Sequence, residues 1–128
     1  MREFSSGATR DDDTTKPDYS GFLDPIVIRA FGEYMHKHRH QADGSMRAPD
    51  NWRKGIPRDV FMSSLFRHLV DAWEIHDDCK RMLEKNNVDD AIKSYLHEEM
   101  TDALCAILFN TQGYLSQWLR GDVGEQDE

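Results

Sequence analysis

The chain has 128 residues, of which 38% are hydrophobic and 31% charged, and its formal net charge is -8. A chain of this length forms one domain with a modest core. The acidic excess argues against nucleic acid as a partner, because clustered Lys and Arg bind phosphate backbones. No membrane partner is expected either, since the longest apolar run, Ala103 to Phe109, is too short to span a bilayer.

The N-terminus and the cysteines indicate a cytoplasmic protein. The first residues lack the apolar core of a signal peptide. Cys79 and Cys105 form no metal or redox motif, so two reduced thiols are expected.

The first half of the chain predicts an arm, one helix and a loop. Residues 1 to 18 are polar and lack periodicity, so they are predicted to form an irregular arm. A helix is predicted from Pro25 to about His38, because proline suits the first turn and apolar residues follow at partly helical spacing. Gln41 to Pro57 is rich in Gly and Pro and predicts a loop, which holds Trp52 between Asn51 and two cations.

Two long helices are predicted in the second half. Apolar residues repeat at i, i+3, i+4 and i+7 between Arg58 and Lys85 and form one stripe; they are Met62, Leu65, Phe66, Leu69 and Trp73. Asn86-Asn87 breaks this helix, and a second runs from about Asp90 to Leu119, with a bend expected near Gly113. The segment Ala103 to Phe109 is apolar in every direction, which predicts burial on all sides.

The predicted fold class is therefore all-α, a bundle of two long helices and one shorter helix that is completed by oligomerisation. Residues 19 to 119 are predicted to form the domain, and residues 120 to 128 are expected to be a disordered acidic tail. No strand-like alternation is present in the sequence.

Two acidic rows suggest a metal site. Glu99 and Asp102 are three residues apart on the last helix, so both carboxylates reach one ion. A matching row on the preceding helix consists of Arg67, Asp71, Glu74 and Asp78, and it is bordered by apolar residues as in a covered cleft. Hard cations such as Mg²⁺ prefer oxygen ligands of this kind. From spacing alone, solvated helix faces are the commoner explanation of acidic rows.

The segment EEMTDALCAILF, residues 98–109, resembles the second metal-binding helix of the all-α NTP pyrophosphohydrolases, the MazG and dimeric dUTPase superfamily. Their pattern is E-E-x-x-E, then E-x-x-D followed by an apolar run. Glu99 and Asp102 match E-x-x-D. On the first long helix only Asp71 matches, and Glu74 is a substitute from the next turn.

A second resemblance covers most of the chain. The segments GATRDDDTTKPDYSGFLDPIVIRAFGEYM, DNWRKGIP and SSLFRHL are similar, in this order, to the phage-associated MazZ-like dATP/dGTP diphosphohydrolase family. Members of that family often carry His-x-x-His-Ala where this chain has Glu99-x-x-Asp102-Ala. At this helix the chain is closer to the parent superfamily.

The resemblance implies a reaction and a cofactor. The expected activity is hydrolysis of dGTP or dATP to the monophosphate and pyrophosphate, by a water activated by two or more Mg²⁺ or Mn²⁺ ions. In a phage that uses 2-aminoadenine, such an enzyme would supply dGMP in the host cytoplasm. Asp71, Glu74, Glu99 and Asp102 are the expected metal ligands, and Glu98 and Glu99 are candidates for orienting the water. Independently of the resemblance, two long helices and one short helix cannot cover the apolar borders of the Asp71 row and the segment Ala103 to Phe109, so a homodimer or tetramer with the site near the interface is expected.

Five residues are candidates for binding the substrate. Trp52 could stack on a purine and Asn51 could read a base edge, although a Trp that pins the loop to the core is equally compatible with the sequence. Lys54 and Arg67 are candidates for phosphate contacts. Lys16, in a family-like stretch, is a candidate for closing over the nucleotide.

Two histidine features and two other functions remain open. His36, His38 and His40 are predicted to form a helix-end cluster, and His68 is predicted to pack or to hold a carboxylate. A pyrophosphohydrolase for dCTP or dUTP is the alternative within the same class. A non-catalytic helical dimerisation or regulatory module is the alternative outside it, favoured by the missing acids of E-E-x-x-E.

Overall fold

The computed structural model describes residues 1–85 and 88–121. The fold is all-α, as predicted, with three long helices. The elements are, in chain order, β1 (Arg2–Glu3), β2 (Thr9–Arg10), α1 (Tyr19–Phe22), α2 (Pro25–Lys37), a 3₁₀ helix (Asn51–Lys54), α3 (Arg58–Lys85) and α4 (Asp90–Arg120). The break predicted at Asn86-Asn87 and most of the predicted tail, residues 122–128, lie outside the described residues.

Local capping residues fix the helix ends. The Asp24 carboxylate accepts a hydrogen bond from the Ile26 N–H, and Pro25 occupies the first turn of α2. The Asp89 carboxylate caps α4 in the same way, by accepting from the Ala91 N–H at 2.8 Å. Gly121 ends α4 with a φ of 74°, a left-handed conformation that glycine adopts without strain. These caps explain why the helix bounds are close to the predicted ones.

The N-terminal arm is less irregular than predicted. β1 and β2 pair antiparallel, with Arg2 opposite Arg10, to form a short exposed hairpin. Arg2 also lies 3.5 Å from a carboxylate oxygen of Asp13. Strands of two residues are too short for alternation to reveal them, which is why the sequence pattern missed this hairpin.

The long helices α3 and α4 form an antiparallel hairpin. Phe61 near the start of α3 lies against Gly113 near the end of α4. Asn110, 4% exposed, donates a hydrogen bond from Nδ2 to Ser64 Oγ at 3.3 Å. Phe61 is 1% exposed and contacts Phe109 edge to face, with ring centroids 6.0 Å apart. The buried positions of α4 also include Ala103 and Ala106, whose small side chains permit close helix packing.

The prediction that Ala103 to Phe109 is buried on all sides is wrong for this chain taken alone. Leu104 is 49% exposed and Leu108 is 42% exposed. The reason is geometric, since α3 and α2 cover only part of the circumference of α4. The apolar stripe of α3 is open in the same way, with Phe66 61% and Trp73 65% exposed.

The shorter helix α2 packs on α4 near its own C-terminal end, where the Lys37 ammonium reaches Asp102. Its N-terminal half exposes three consecutive apolar residues, Ile26, Val27 and Ile28. None of the helices formed by the described residues is long and apolar enough to cross a membrane.

Candidate functional site

A cleft of about 420 Å³ lies between α3, α4 and the end of α2, and we call it the acidic cleft. Its carboxylates are Asp71, Glu74 and Asp78 from α3 and Glu99 and Asp102 from α4. Spacings of three, four and seven residues put each row on one helix face, and the antiparallel hairpin turns the two faces towards each other. The structure thus brings together the four residues predicted as metal ligands.

Apart from the carboxylates, the described lining of the acidic cleft consists of histidine, aromatic and apolar residues. Tyr34, His38 and His68 line one side, and Ile75 and Tyr95 lie among the apolar and aromatic residues of the rest. Within the described ranges no Lys or Arg belongs to the lining. A concave surface of this composition attracts cations.

Three of the five carboxylates have a basic partner. His68 Nδ1 lies 3.5 Å from Asp71 Oδ2, which agrees with the prediction that His68 holds a carboxylate. The Arg81 guanidinium contacts Asp78 one turn further along α3. Lys37 donates a hydrogen bond to Asp102 Oδ1 at 2.8 Å.

The Lys37–Asp102 pair was not predicted from the sequence. Lys37 is the last residue of α2, and its ammonium also lies 5.6 Å from the centroid of the Tyr34 ring. The hydrogen bond to Asp102 raises the pKa of Lys37. The partners are 65 residues apart, and the only local signal, a basic helix end, points to no particular carboxylate.

Asp102 influences several neighbouring groups that burial already affects. Burial raises the pKa of Tyr34 and of the Cys105 thiol, and the Asp102 charge raises both further. Burial lowers the pKa of His38, and the nearby Lys37 charge acts in the same direction. Near pH 7, Tyr34 and Cys105 therefore remain protonated and His38 remains uncharged. Charge in this part of the site comes from the carboxylates and Lys37.

A second cavity of about 400 Å³ adjoins the acidic cleft, and we call it the aromatic cavity. It shares the side chains of Tyr34, His38 and His68 with the cleft. Trp52 and Asn51, both predicted to bind a base, lie in its lining. Its volume falls within the range of about 300–1,000 Å³ that is typical of small-molecule sites.

Polar groups in the aromatic cavity are held in place by the fold. Asn110 donates from Nδ2 to the Ala106 carbonyl at 2.8 Å as well as to Ser64. The Arg53 guanidinium lies 5.0 Å from the centroid of Trp52, a cation–π distance that favours an ordered ring. Arg39 and Arg47 add positive charge to the same lining.

The remaining predicted site residues lie elsewhere. Glu98, Arg67, Lys54 and Lys16 are exposed, and none of the four belongs to the lining of the cleft or the cavity as far as the described residues define it. Glu98 is nevertheless close enough to Lys37 to raise its pKa.

The chemistry of the acidic cleft suits a hard divalent cation, but its side chains do not converge on one point. Five carboxylates supply the oxygen donors that Mg²⁺ and Mn²⁺ prefer. Across residues 1–85 and 88–121, no three His, Cys, Asp or Glu side chains lie close enough together to hold a metal ion. Metal binding here would require rotation of exposed side chains, among them that of Asp102, which now accepts a hydrogen bond from Lys37.

Comparisons of the chain with known protein families, curated proteins and solved structures found no match.

Proposed function

We propose that the chain is a metal-dependent pyrophosphohydrolase that converts a purine deoxynucleoside triphosphate, dGTP or dATP, into the monophosphate and pyrophosphate. The observation that carries this proposal is the common wall of the two cavities. A nucleotide consists of a flat aromatic base and a polyanion that binds cations. The aromatic cavity suits the first part, and the acidic cleft suits the second once cations are present.

The net charge of -8 makes cations a requirement of this proposal, because the bare acidic cleft would repel a triphosphate. Mg²⁺ or Mn²⁺, in two or more ions held by Asp71, Glu74, Glu99 and Asp102, would supply Lewis acidity and neutralise phosphate charge. His68 would keep Asp71 oriented through the contact at 3.5 Å.

Other residues of the chain would bind and orient the reactants. Trp52 offers a ring for stacking on the base, and Asn51 offers donors and acceptors for its edge. Glu99, which lines the cleft, and Glu98, which lies outside it, remain the candidates for orienting the attacking water. The sequence resemblance supports a purine, and in a phage with modified bases the product dGMP would feed 2-aminoadenine metabolism.

A homodimer or tetramer belongs to the same proposal. Phe66 and Trp73 on α3, together with Leu104 and Leu108 on α4, leave apolar surface uncovered on a single chain. Large exposed apolar patches mark association surfaces in soluble proteins. A second copy packed on these faces would complete the helical bundle.

One observation favours a second candidate, a non-catalytic helical dimerisation or regulatory module. No three ligands converge on a point within the described residues. A module that retained the helices without the reaction would show this same feature, and it would have no need of divalent metal.

The test uses the full chain with Mn²⁺ or Mg²⁺ and dGTP, with dATP, dCTP, dUTP and GTP in parallel. Chromatography should show dGMP and pyrophosphate from dGTP, and chelation should abolish the reaction. Asp102→Asn should lower activity by about a hundredfold or more, since loss of even an outer-shell partner costs about 10–100-fold at metal sites. Asp59→Asn, at an exposed position in the first turn of α3, is the matched control and should retain activity.

Two outcomes would contradict the proposal, the first in its reaction and the second in its substrate. If none of the triphosphates is hydrolysed, and if Asp102→Asn leaves Mn²⁺ binding unchanged, the module is the better explanation. Hydrolysis of dCTP or dUTP alone would support the proposed reaction, but it would show that the substrate is a pyrimidine nucleotide and not a purine nucleotide.

A further inference from the structure

Lys37 binds one of the two carboxylate oxygens of Asp102, a residue proposed above as a metal ligand. Its Nζ lies 2.8 Å from Oδ1 of Asp102, at the junction of α2 and α4. The two side chains are 49% and 37% exposed, so the pair sits at the rim of the acidic cleft rather than in the core. An ammonium and a divalent cation that bind the same carboxylate repel each other, so each weakens the binding of the other.

The Lys37 side chain can change partners when a metal ion binds Asp102. Its ammonium has three donors on a flexible stem, so it can change partners without movement of the backbone. The described lining of the acidic cleft contains no Lys or Arg. Lys37, at the end of α2, contacts a carboxylate of the cleft that lies on α4. The candidates from sequence, Lys16, Lys54 and Arg67, line neither cavity.

We propose that Lys37 exchanges partners during substrate binding: it holds Asp102 in the metal-free protein, yields it to the divalent cation, and then binds a phosphate oxygen of the nucleoside triphosphate. This inference rests on the proposed function. Lys37 thereby acts as a substrate-binding residue that also competes with the metal. The exchange keeps a positive charge beside Asp102 until the metal replaces it.

Two measurements test the two halves of this exchange, and neither depends on turnover. The first is Mn²⁺ affinity without nucleotide, measured by calorimetry or electron paramagnetic resonance. The second is the affinity for a dGTP analogue with a non-hydrolysable α,β-methylene bridge at saturating Mn²⁺. Lys37→Met removes the ammonium and keeps most of the stem, and Lys37→Arg keeps the charge. Lys85→Met, at the exposed end of α3, is the matched control for the change in net charge.

Lys37→Met should bind Mn²⁺ about two- to fivefold more tightly, the range set by the free energy of a partly exposed ion pair. It should bind the analogue on the order of tenfold more weakly, because it loses a charge-assisted hydrogen bond to phosphate. Lys37→Arg should stay close to the unaltered protein in both measurements, and so should Lys85→Met.

The opposite results overturn the inference. Unchanged or weaker Mn²⁺ binding in Lys37→Met would show that Lys37 does not compete with the metal. Unchanged analogue binding would show that it does not reach phosphate. If either result is found while the unaltered protein still binds Mn²⁺ and cleaves dGTP, the inference about Lys37 is wrong and the proposed function stands. If the unaltered protein binds no Mn²⁺, the proposed function fails and takes the inference with it.

Discussion

Replacing Gly113 by alanine tests how closely α3 and α4 approach each other. A Cβ atom built at Gly113 would lie 2.4 Å from two ring atoms of Phe61, well inside van der Waals contact. The ring cannot retreat easily, because Phe61 is 1% exposed and packs against Phe109. The methyl group must therefore push the helices apart or force the ring from its rotamer.

Two opposing contributions set the size of the effect. Alanine is favoured over glycine inside a helix by about 1 kcal/mol. Overpacking a well-filled core costs about 1–3 kcal/mol. Because two ring atoms are involved and both lie in the core, the upper part of that range applies. The free energy of unfolding of Gly113→Ala should fall by about 1–2 kcal/mol relative to the unaltered protein.

Gly32→Ala is the matched control, since it makes the same change inside α2. A Cβ atom at Gly32 would meet nothing within 4 Å. Only the preference of the helix for alanine then acts, and the free energy of unfolding should rise by about 0.4–1 kcal/mol. Urea unfolding followed by circular dichroism should move the two midpoints in opposite directions.

If Gly113→Ala proved as stable as Gly32→Ala, the close approach of Phe61 to α4 would be refuted. The double variant Phe61→Leu/Gly113→Ala sharpens this test, because leucine removes the far end of the ring. The two changes together should cost less than the sum of the single changes, with a coupling of about 0.5–3 kcal/mol for residues in contact. Simple additivity would argue against contact.

Two further predictions concern pH and assembly. The pKa of His38 lies below 6.5 in the folded protein. At pH values between this lowered pKa and 6.5, the unfolded chain therefore binds more protons than the folded protein. The free energy of unfolding should decrease as the pH falls from 6.5 through the lowered pKa. Urea midpoints between pH 5 and 7.5 should show a smaller decrease for His38→Gln than for His76→Gln on the exposed side of α3, and equal decreases would argue against a role for His38. Light scattering should show a dimer or tetramer, and Trp73→Glu, at a position 65% exposed on a single chain, should favour the monomer. A fully active monomer at micromolar concentration would contradict the proposed assembly.

The helices and the acidic cleft were predictable because their signals are local or periodic. Pro25, Asp89 and Gly121 act within one turn of the helix ends that they cap. The carboxylate rows follow from a spacing of three and four residues. A short connection between two long helices then leaves an antiparallel hairpin as the simple arrangement, which brings the rows to one cleft.

The contacts that the sequence did not reveal depend on the distance between helices. Nothing near Lys37 in the sequence points to Asp102, and nothing near Phe61 points to Gly113. Gly113 suggested a bend, whereas α4 is continuous there and the missing side chain makes room for a ring. The predicted burial of Leu104 is wrong because helical periodicity shows which faces of a helix are apolar but not how many neighbouring helices cover those faces.

The pairing of the carboxylates separates the stability of this fold from its proposed use of metal. Five carboxylates around one cleft would repel one another, but three of them already contact a basic side chain: Asp71 with His68, Asp78 with Arg81 and Asp102 with Lys37. Pairs of this exposure add little net stability, yet the charges of Lys37 and Arg81 offset part of the repulsion between the carboxylates. We therefore expect the core formed by α3 and α4 to fold without a bound cation. In the proposed function, in contrast, a triphosphate would bring its charge into a cleft whose carboxylates remain, so the substrate and not the fold would require the cation.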